Sequence, residues 1–194
     1  MIGVLALQGD FAEHIAVLKR MNVPAIEVKR PEQLHDVDGL IIPGGESTVI
    51  NRLMRINGID KELQRKVRQG FPVFGTCAGA ILLANHIIGN GLSTENVGLK
   101  LLNVTAYRNA YGRQLESFET PLNVEGFSSR VPAVFIRAPV LKAHDGVNVL
   151  AEFEGNPVLV RQDNILASTF HPELTKDTRI HQYFLEVVRE FKKS

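Results

Sequence analysis

This chain has one cysteine, Cys77, so it cannot form an internal disulfide. It has almost no charge excess. A formal net charge of +1 offers no electrostatic case for nucleic acid or an anionic membrane as main partner. It has no apolar run near the ~20 residues of a membrane span. Its opening Ile2-Gly-Val-Leu-Ala-Leu7 is too short for the apolar core of a signal peptide. That run also lacks a basic flank and is closed by Asp10. The cytoplasm is therefore the expected compartment. No repeat, low-complexity tract or linker divides the chain. What remains is 194 residues, 44% hydrophobic and 22% charged, expected to fold as one domain over 1–194 with a substantial core.

The lone cysteine lies in the most informative stretch, Gly75-Thr-Cys77-Ala-Gly79. A strand-like run, Phe71-Pro-Val-Phe74, precedes it, and a helix-like run, Ala80-Ile-Leu-Leu-Ala84, follows. A nucleophile flanked by glycine at i−2 and i+2 has the form of a nucleophile elbow, where only glycine fits the crowded turn. Unpaired N–H groups and a positive dipole end at the helix start favour an anion there. Taken alone, such a cysteine reads more readily as a small buried hydrophobe. Two further segments reverse that balance. Pro43-Gly-Gly-Glu-Ser-Thr48 follows the apolar Gly39–Ile42, and His171-Pro-Glu173 follows the apolar Ile165–Phe170. Each places polar chemistry just beyond a strand-like segment, where open α/β sheets form ligand sites.

The pattern along the first half reads strand, helix, strand, strand, helix, helix, strand, helix. Strands are expected at Ile2–Leu7, Ala25–Val28, Gly39–Ile42 and Val73–Phe74. Asp10 with Glu13 resembles a capping box, Ser47 a cap for a helix carrying Ile50, Leu53 and Met54, and Asp60 a cap for the next. This alternation predicts a three-layer α/β fold, a mostly parallel sheet flanked by helices. In the second half, strands are expected at Leu101–Ala106, Leu122–Glu125, Ala133–Ile136, Val147–Phe153, Pro157–Arg161 and Ile165–Phe170, with a turn at Asp163-Asn164. Ile180, Tyr183, Phe184, Val187, Val188 and Phe191 step by three and four, predicting a terminal helix.

The three motifs, in this order, resemble the class I (triad) glutamine amidotransferases. Leu5-Ala-Leu-Gln-Gly-Asp10, Arg108-Asn-Ala-Tyr-Gly-Arg-Gln114, Ser117-Phe118, Phe135-Ile-Arg-Ala-Pro139 and Phe170-His-Pro-Glu-Leu174 narrow the likeness. Together they resemble the glutaminase subunits of pyridoxal 5′-phosphate synthase, from Ile2 to the terminal helix. Amidotransferases of histidine, purine or anthranilate synthesis fit these segments less well.

The resemblance implies hydrolysis of L-glutamine by Cys77 as nucleophile, His171 as base and acid, and Glu173 as its orienting partner. Elbow geometry offers the Ala78 N–H as one oxyanion donor, and the resemblance points to Gly45 for the second. By the same carry-over Gly45, Glu46, Ser47, Arg108, Ile136 and Arg137 line the substrate pocket. Arg108 or Arg137 suits the α-carboxylate and Glu46 the α-ammonium, and sequence leaves the pairing open. Arg113 and Gln114 shape a loop or a partner interface. The other histidines, His14, His35, His86, His144 and His181, read as solvated or core residues. No metal or cofactor is implied. A partner is: a (β/α)8-barrel synthase subunit, arranged as a dodecamer of heterodimers, that uses the ammonia. Gln8 is a candidate for interface-linked ordering of the oxyanion hole.

Overall fold

The alternation in the first half becomes β1 (Ile2–Leu5), α1 (Phe11–Arg20), β2 (Ala25–Val28), β3 (Leu40–Ile42), α2 (Ser47–Asn57), α3 (Ile59–Arg68), β4 (Val73–Thr76) and α4 (Ala78–Leu83). The computed structural model describes residues 1–89, 92–93, 97–108 and 117–193. Arg113 and Gln114 lie outside the described residues. The second half adds β5 (Ala84–Gly89), β6 (Leu92–Ser93), β7 (Leu102–Arg108), β8 (Ser117–Leu122), β9 (Val131–Ile136) and β10 (Val140–Ala143). It closes with β11 (Asn148–Phe153), β12 (Asn156–Gln162), β13 (Ile165–Ser168) and α5 (Arg179–Lys193).

Seven strands make the central sheet, in the order β11-β12-β13-β4-β3-β1-β2. The five from β13 to β2 pair in parallel, and β11 and β12 continue the edge antiparallel. Parallel strands are covered on both faces, which is why they are apolar at successive positions. Alternate residues feed two cores. Leu40, Ile42, Val73, Ile165 and Ala167 pack with α2, α3 and α4. Ile2, Val4, Ile41, Phe74 and Leu166 pack with α1 and α5. The result is a three-layer α/β fold. A four-stranded sheet, β10-β7-β5-β6, joins the first core, and the β8-β9 hairpin joins the second. Pro121 opposes Pro132 in that hairpin, a pairing tolerated because each strand of a two-stranded sheet is an edge.

Several local expectations differ from the structure. Glu46, not Ser47, caps α2, its carboxylate accepting from the Thr48 and Val49 N–H groups. A longer carboxylate reaches two orphan donors at once, and Ser47 becomes the first helical residue. Gly58, in the left-handed region at φ 78°, precedes α3, leaving Asp60 inside that helix. Asp10 caps nothing with its side chain. The strand expected at Leu122–Glu125 ends at Leu122, having begun at Ser117. β5 and β10 were not among the expected strands, although Asn90-Gly91 follows the first and Asp145-Gly146 the second, both turn-forming dipeptides. β5 is held by pairing with β7, and β10 likewise.

Candidate active site

The chain turns from β4 into α4 at Cys77, which has φ 49° and ψ −104°. This left-handed backbone is sparsely populated for a residue with a side chain, and it persists where the surroundings over-determine it. The surroundings do so. The Cys77 N–H donates to the Ser168 carbonyl at 2.8 Å, tying the elbow to the end of β13. A Cβ on Gly75 would lie 2.6 Å from the Gly79 carbonyl O, and one on Gly79 would lie 2.1 Å from the Ile42 carbonyl O. Both flanking glycines are thus required by close backbone approach. Cys77 Sγ donates to the Ile136 carbonyl at 3.8 Å.

β13 ends at Ser168, and His171 follows, its N–H donating to the Val134 carbonyl at 2.8 Å. Pro172–Leu174 form a single 3-10 turn with proline at its start. The turn folds Glu173 back on His171, with Nδ1 to Oε1 at 2.6 Å. A carboxylate only accepts, so Nδ1 carries the proton. Burial pushes the His171 ring toward neutrality. Hydrogen bonding and charge from Cys77 and Glu173 overcome it and lift its pKa to about 10. Burial raises Glu173, against the pull of His171. The ring also needs a glycine opposite, because a Cβ on Gly44 would come 2.5 Å from His171 Cε1.

Cys77 and His171 face one cavity of about 370 Å³. Ala78, Gly45, Glu46, Ser47, Arg108, Ile136 and Arg137 line it too, so residues from five separate stretches of chain converge there. A volume of this size suits a small ligand. Glu173 does not line the cavity; it is 4% exposed and reaches the site through His171. Gln8 supports the lining, its Oε1 accepting from the Glu46 N–H at 2.8 Å. Arg108 lies 3.6 Å from Glu46 Oε1. The groups expected from sequence to meet the two ends of glutamine therefore face each other. Burial raises the Glu46 pKa, but the two capping hydrogen bonds and Arg108 outweigh it, and the carboxyl is held low. Arg137 has φ 45°, a strained backbone at the cavity wall.

Asp10 was read differently from sequence, whereas His14 and His181, read as solvated or core residues, are buried in the core. Asp10, taken for a cap, places Oδ2 3.5 Å from His171 Nδ1 and lines the cavity. Burial raises its pKa, against the pull of His171. Its backbone N–H donates to the Gly44 carbonyl at 3.0 Å, joining the loops after β1 and β3. His14, Thr76 and His181 form a buried polar string: His14 Nδ1 lies 2.9 Å from His181 Nε2, and His14 Nε2 lies 3.1 Å from Thr76 Oγ1. The spacing of Asp10 and His14, four apart just after β1, is the signal that marks them as one helix face. Asp10, His171 and Glu173 bring potential ligand atoms within 4.8 Å of one another, the one such cluster among the described residues. The protonated Nδ1 has no lone pair for an ion, and the His171–Glu173 hydrogen bond accounts for the proximity of those two.

Gln8, Gly45, Cys77 and His171 follow β1, β3, β4 and β13, all at the carboxyl ends of parallel strands. Among solved structures, a glutamine amidotransferase crystal structure superposes with a TM-score of 0.91 at 52% identity, covering 97% of this chain and 98% of that one. The pyridoxal 5′-phosphate synthase subunit PdxT of Thermosipho africanus is 47% identical over 97% of this chain and 99% of its own length. PdxT of Thermus thermophilus is 52% identical over 96% of this chain and 97% of its own. Residues 4–190 match the SNO glutamine amidotransferase family, and the chain belongs to that family.

Proposed function

We propose that this chain hydrolyses L-glutamine to L-glutamate and ammonia through Cys77, His171 and Glu173, and hands the ammonia to the synthase subunit of a pyridoxal 5′-phosphate synthase. The observation that carries the reading is the thiol at a strained elbow, sharing a cavity with a histidine whose Nδ1 lies 2.6 Å from a buried carboxylate. An imidazolium beside a thiol is the partner that a thiolate nucleophile needs. The thiolate attacks the glutamine side-chain carbonyl carbon. The resulting oxyanion is met by the Ala78 N–H at the start of α4 and by Gly45. His171 gives its proton to the departing ammonia, leaving a thioester. Water then attacks that thioester, passing a proton back to His171 and releasing glutamate. Glu173 keeps the ring oriented throughout.

For the two ends of the amino acid, Arg108 and Arg137 offer cations to the α-carboxylate, and Glu46 offers an anion to the α-ammonium. Ser47 and Ile136 complete the wall. Ammonia protonates in water and loses its nucleophilicity, which is the reason for direct transfer to a partner. The family relatives carry the name of a synthase subunit, which supports a synthase partner; its (β/α)8-barrel fold and a dodecamer of heterodimers are what the family resemblance implies. The single free thiol fits a reducing compartment, and we assign the cytoplasm. Among the described residues no helix is long and apolar enough to cross a membrane.

The test is glutamate release from glutamine with the purified chain, alone and with the synthase subunit. Release stimulated by the partner and abolished in Cys77→Ala, with ammonia-dependent synthesis intact, is the expected result. Glutamine-dependent synthesis that survives Cys77→Ala overturns the assignment.

A further inference from the structure

Glu173 has two buried carboxylate oxygens, and the triad uses only one. Oε1 accepts from His171, whereas Oε2 is buried with no hydrogen bond among the described residues. A buried carboxylate oxygen without a hydrogen-bonding partner is costly, so the group facing it matters. That group is His14. Its Nε2 lies 3.5 Å from Glu173 Oε2 and 3.1 Å from Thr76 Oγ1, with both the His14 and Glu173 side chains 0% exposed.

The proton on His14 can be placed by elimination. Burial and the neighbouring His181 and His171 hold His14 well below its ordinary pKa, and burial holds His181 down to about 4. Both rings are neutral at pH 7, each with one N–H and one acceptor. Two tautomer pairs satisfy the 2.9 Å contact between His14 Nδ1 and His181 Nε2. In one, His14 donates from Nδ1. His181 must then protonate Nδ1, which is buried without a partner among the described residues, and His14 turns a lone pair toward the Glu173 carboxylate. In the other, His181 donates from Nε2 to His14. The unpaired His181 Nδ1 is then only an acceptor, and the His14 Nε2–H points at Thr76 and Glu173. The first arrangement strands a donor and sets two electron-rich atoms face to face; the second does neither.

We infer that His14 is a positioning residue for the triad: its Nε2–H, fixed in that tautomer by His181, faces the outer oxygen of Glu173 electrostatically at 3.5 Å while hydrogen-bonding Thr76 of the elbow strand. Thr76 immediately precedes Cys77, so one imidazole links the strand that carries the nucleophile to the carboxylate that orients the base. His14 does not line the cavity and does not touch substrate. Losing the contact lets Glu173 rotate or take up a proton, and His171 loses its anchor. The charged groups around this string are His171, Asp10 and Glu173 on the site side, and Arg20 beside His181.

The inference rests on the triad reading, and the experiment separates the two. Glutaminase kinetics in the presence of the synthase subunit are compared for wild type, Cys77→Ala, His14→Leu and His14→Gln. A glutamine side chain can place an amide N–H where Nε2 stands; leucine cannot. The expected result is a fall in kcat of about ten- to a hundred-fold in His14→Leu with KM unchanged, mostly recovered in His14→Gln. In parallel, the imidazole nitrogens of the ¹⁵N-histidine-labelled wild-type chain are read by NMR, which needs no variant to fold. His14 protonated at Nε2 and not at Nδ1 is expected. The inference is overturned by a His14 proton on Nδ1, by wild-type kcat in His14→Leu, or by equal losses in both variants. Hydrolysis that persists in Cys77→Ala sinks the triad reading instead.

Discussion

Replacing Gly79 by alanine probes whether the elbow is as tight as its geometry says. The new Cβ would stand 2.1 Å from the Ile42 carbonyl O and 2.9 Å from its carbon. A relaxed C···O contact is about 3.3 Å, so roughly 1.2 Å of room must be found. Both sides of the clash are backbone, and neither can swing away as a side chain would. β3 must retreat, and it leads into Gly44-Gly45; or α4 must retreat, and it begins with Ala78. Overpacking of this kind costs about 3 kcal/mol. For a chain of this size that lowers Tm by about 6–12 °C. Activity is more sensitive, because a displacement near 1 Å in a reacting constellation costs on the order of 100-fold. Gly155→Ala is the control: its φ is +76° and nothing lies within 4 Å, so only left-handed backbone strain of about 1–2 kcal/mol applies, with kcat unchanged. Differential scanning calorimetry and partner-stimulated glutamate release read both quantities. A Gly79→Ala protein within 2 °C of wild type in Tm, and within about two-fold in kcat, would refute the close-approach argument.

Two other perturbations follow from the same contacts. His181 is held neutral, with its folded pKa near 4 against an ordinary 6.5. The stability it protects is present above pH 6.5 and is lost as pH falls, because the unfolded chain then binds a proton that the folded chain refuses. The loss reaches about 3 kcal/mol by pH 4. Urea denaturation at pH 7 and pH 4.5 is expected to show a smaller decrement in His181→Gln than in wild type; an equal decrement contradicts the assignment. Gln8→Ala removes the acceptor 2.8 Å from the Glu46 N–H and loosens the loop that presents Gly45. Turnover stimulated by the synthase subunit is expected to fall by about ten-fold, with complex formation by calorimetry little changed. The reverse pattern would mean that Gln8 serves the interface and not the site.

The elbow and the order of elements were legible because they are local constraints. Gly75 and Gly79 flank Cys77 since a Cβ at either would stand under 3 Å from other backbone, and no other residue fits there. The apolar runs of β1, β3, β4 and β13 mark strands covered on both faces. The stepping of Ile180, Phe184, Val187 and Val188 marks one buried face of α5. The family motifs likewise point to one cavity, where Gly45, Glu46, Ser47, Arg108, Ile136 and Arg137 meet Cys77.

The roles of Asp10, His14 and His181 were not legible. Asp10 has the residue type and spacing of a helix cap, yet it faces His171, 161 positions away by their numbers. Glu46 took the capping role from Ser47 through the reach of its side chain, which no propensity records. β5 and β10 both pair with β7, a partner distant in sequence, and Asn90-Gly91 and Asp145-Gly146 mark only where they end. His14 and His181 lie 167 positions apart and share one hydrogen bond beneath the site. The sequence by itself determined where the backbone must turn, what it buries and which motifs bound the cavity, because backbone sterics and hydrophobic period are local. The tertiary structure decided which charges and protons face one another, because sheet order sets those distances and burial sets their ionisation.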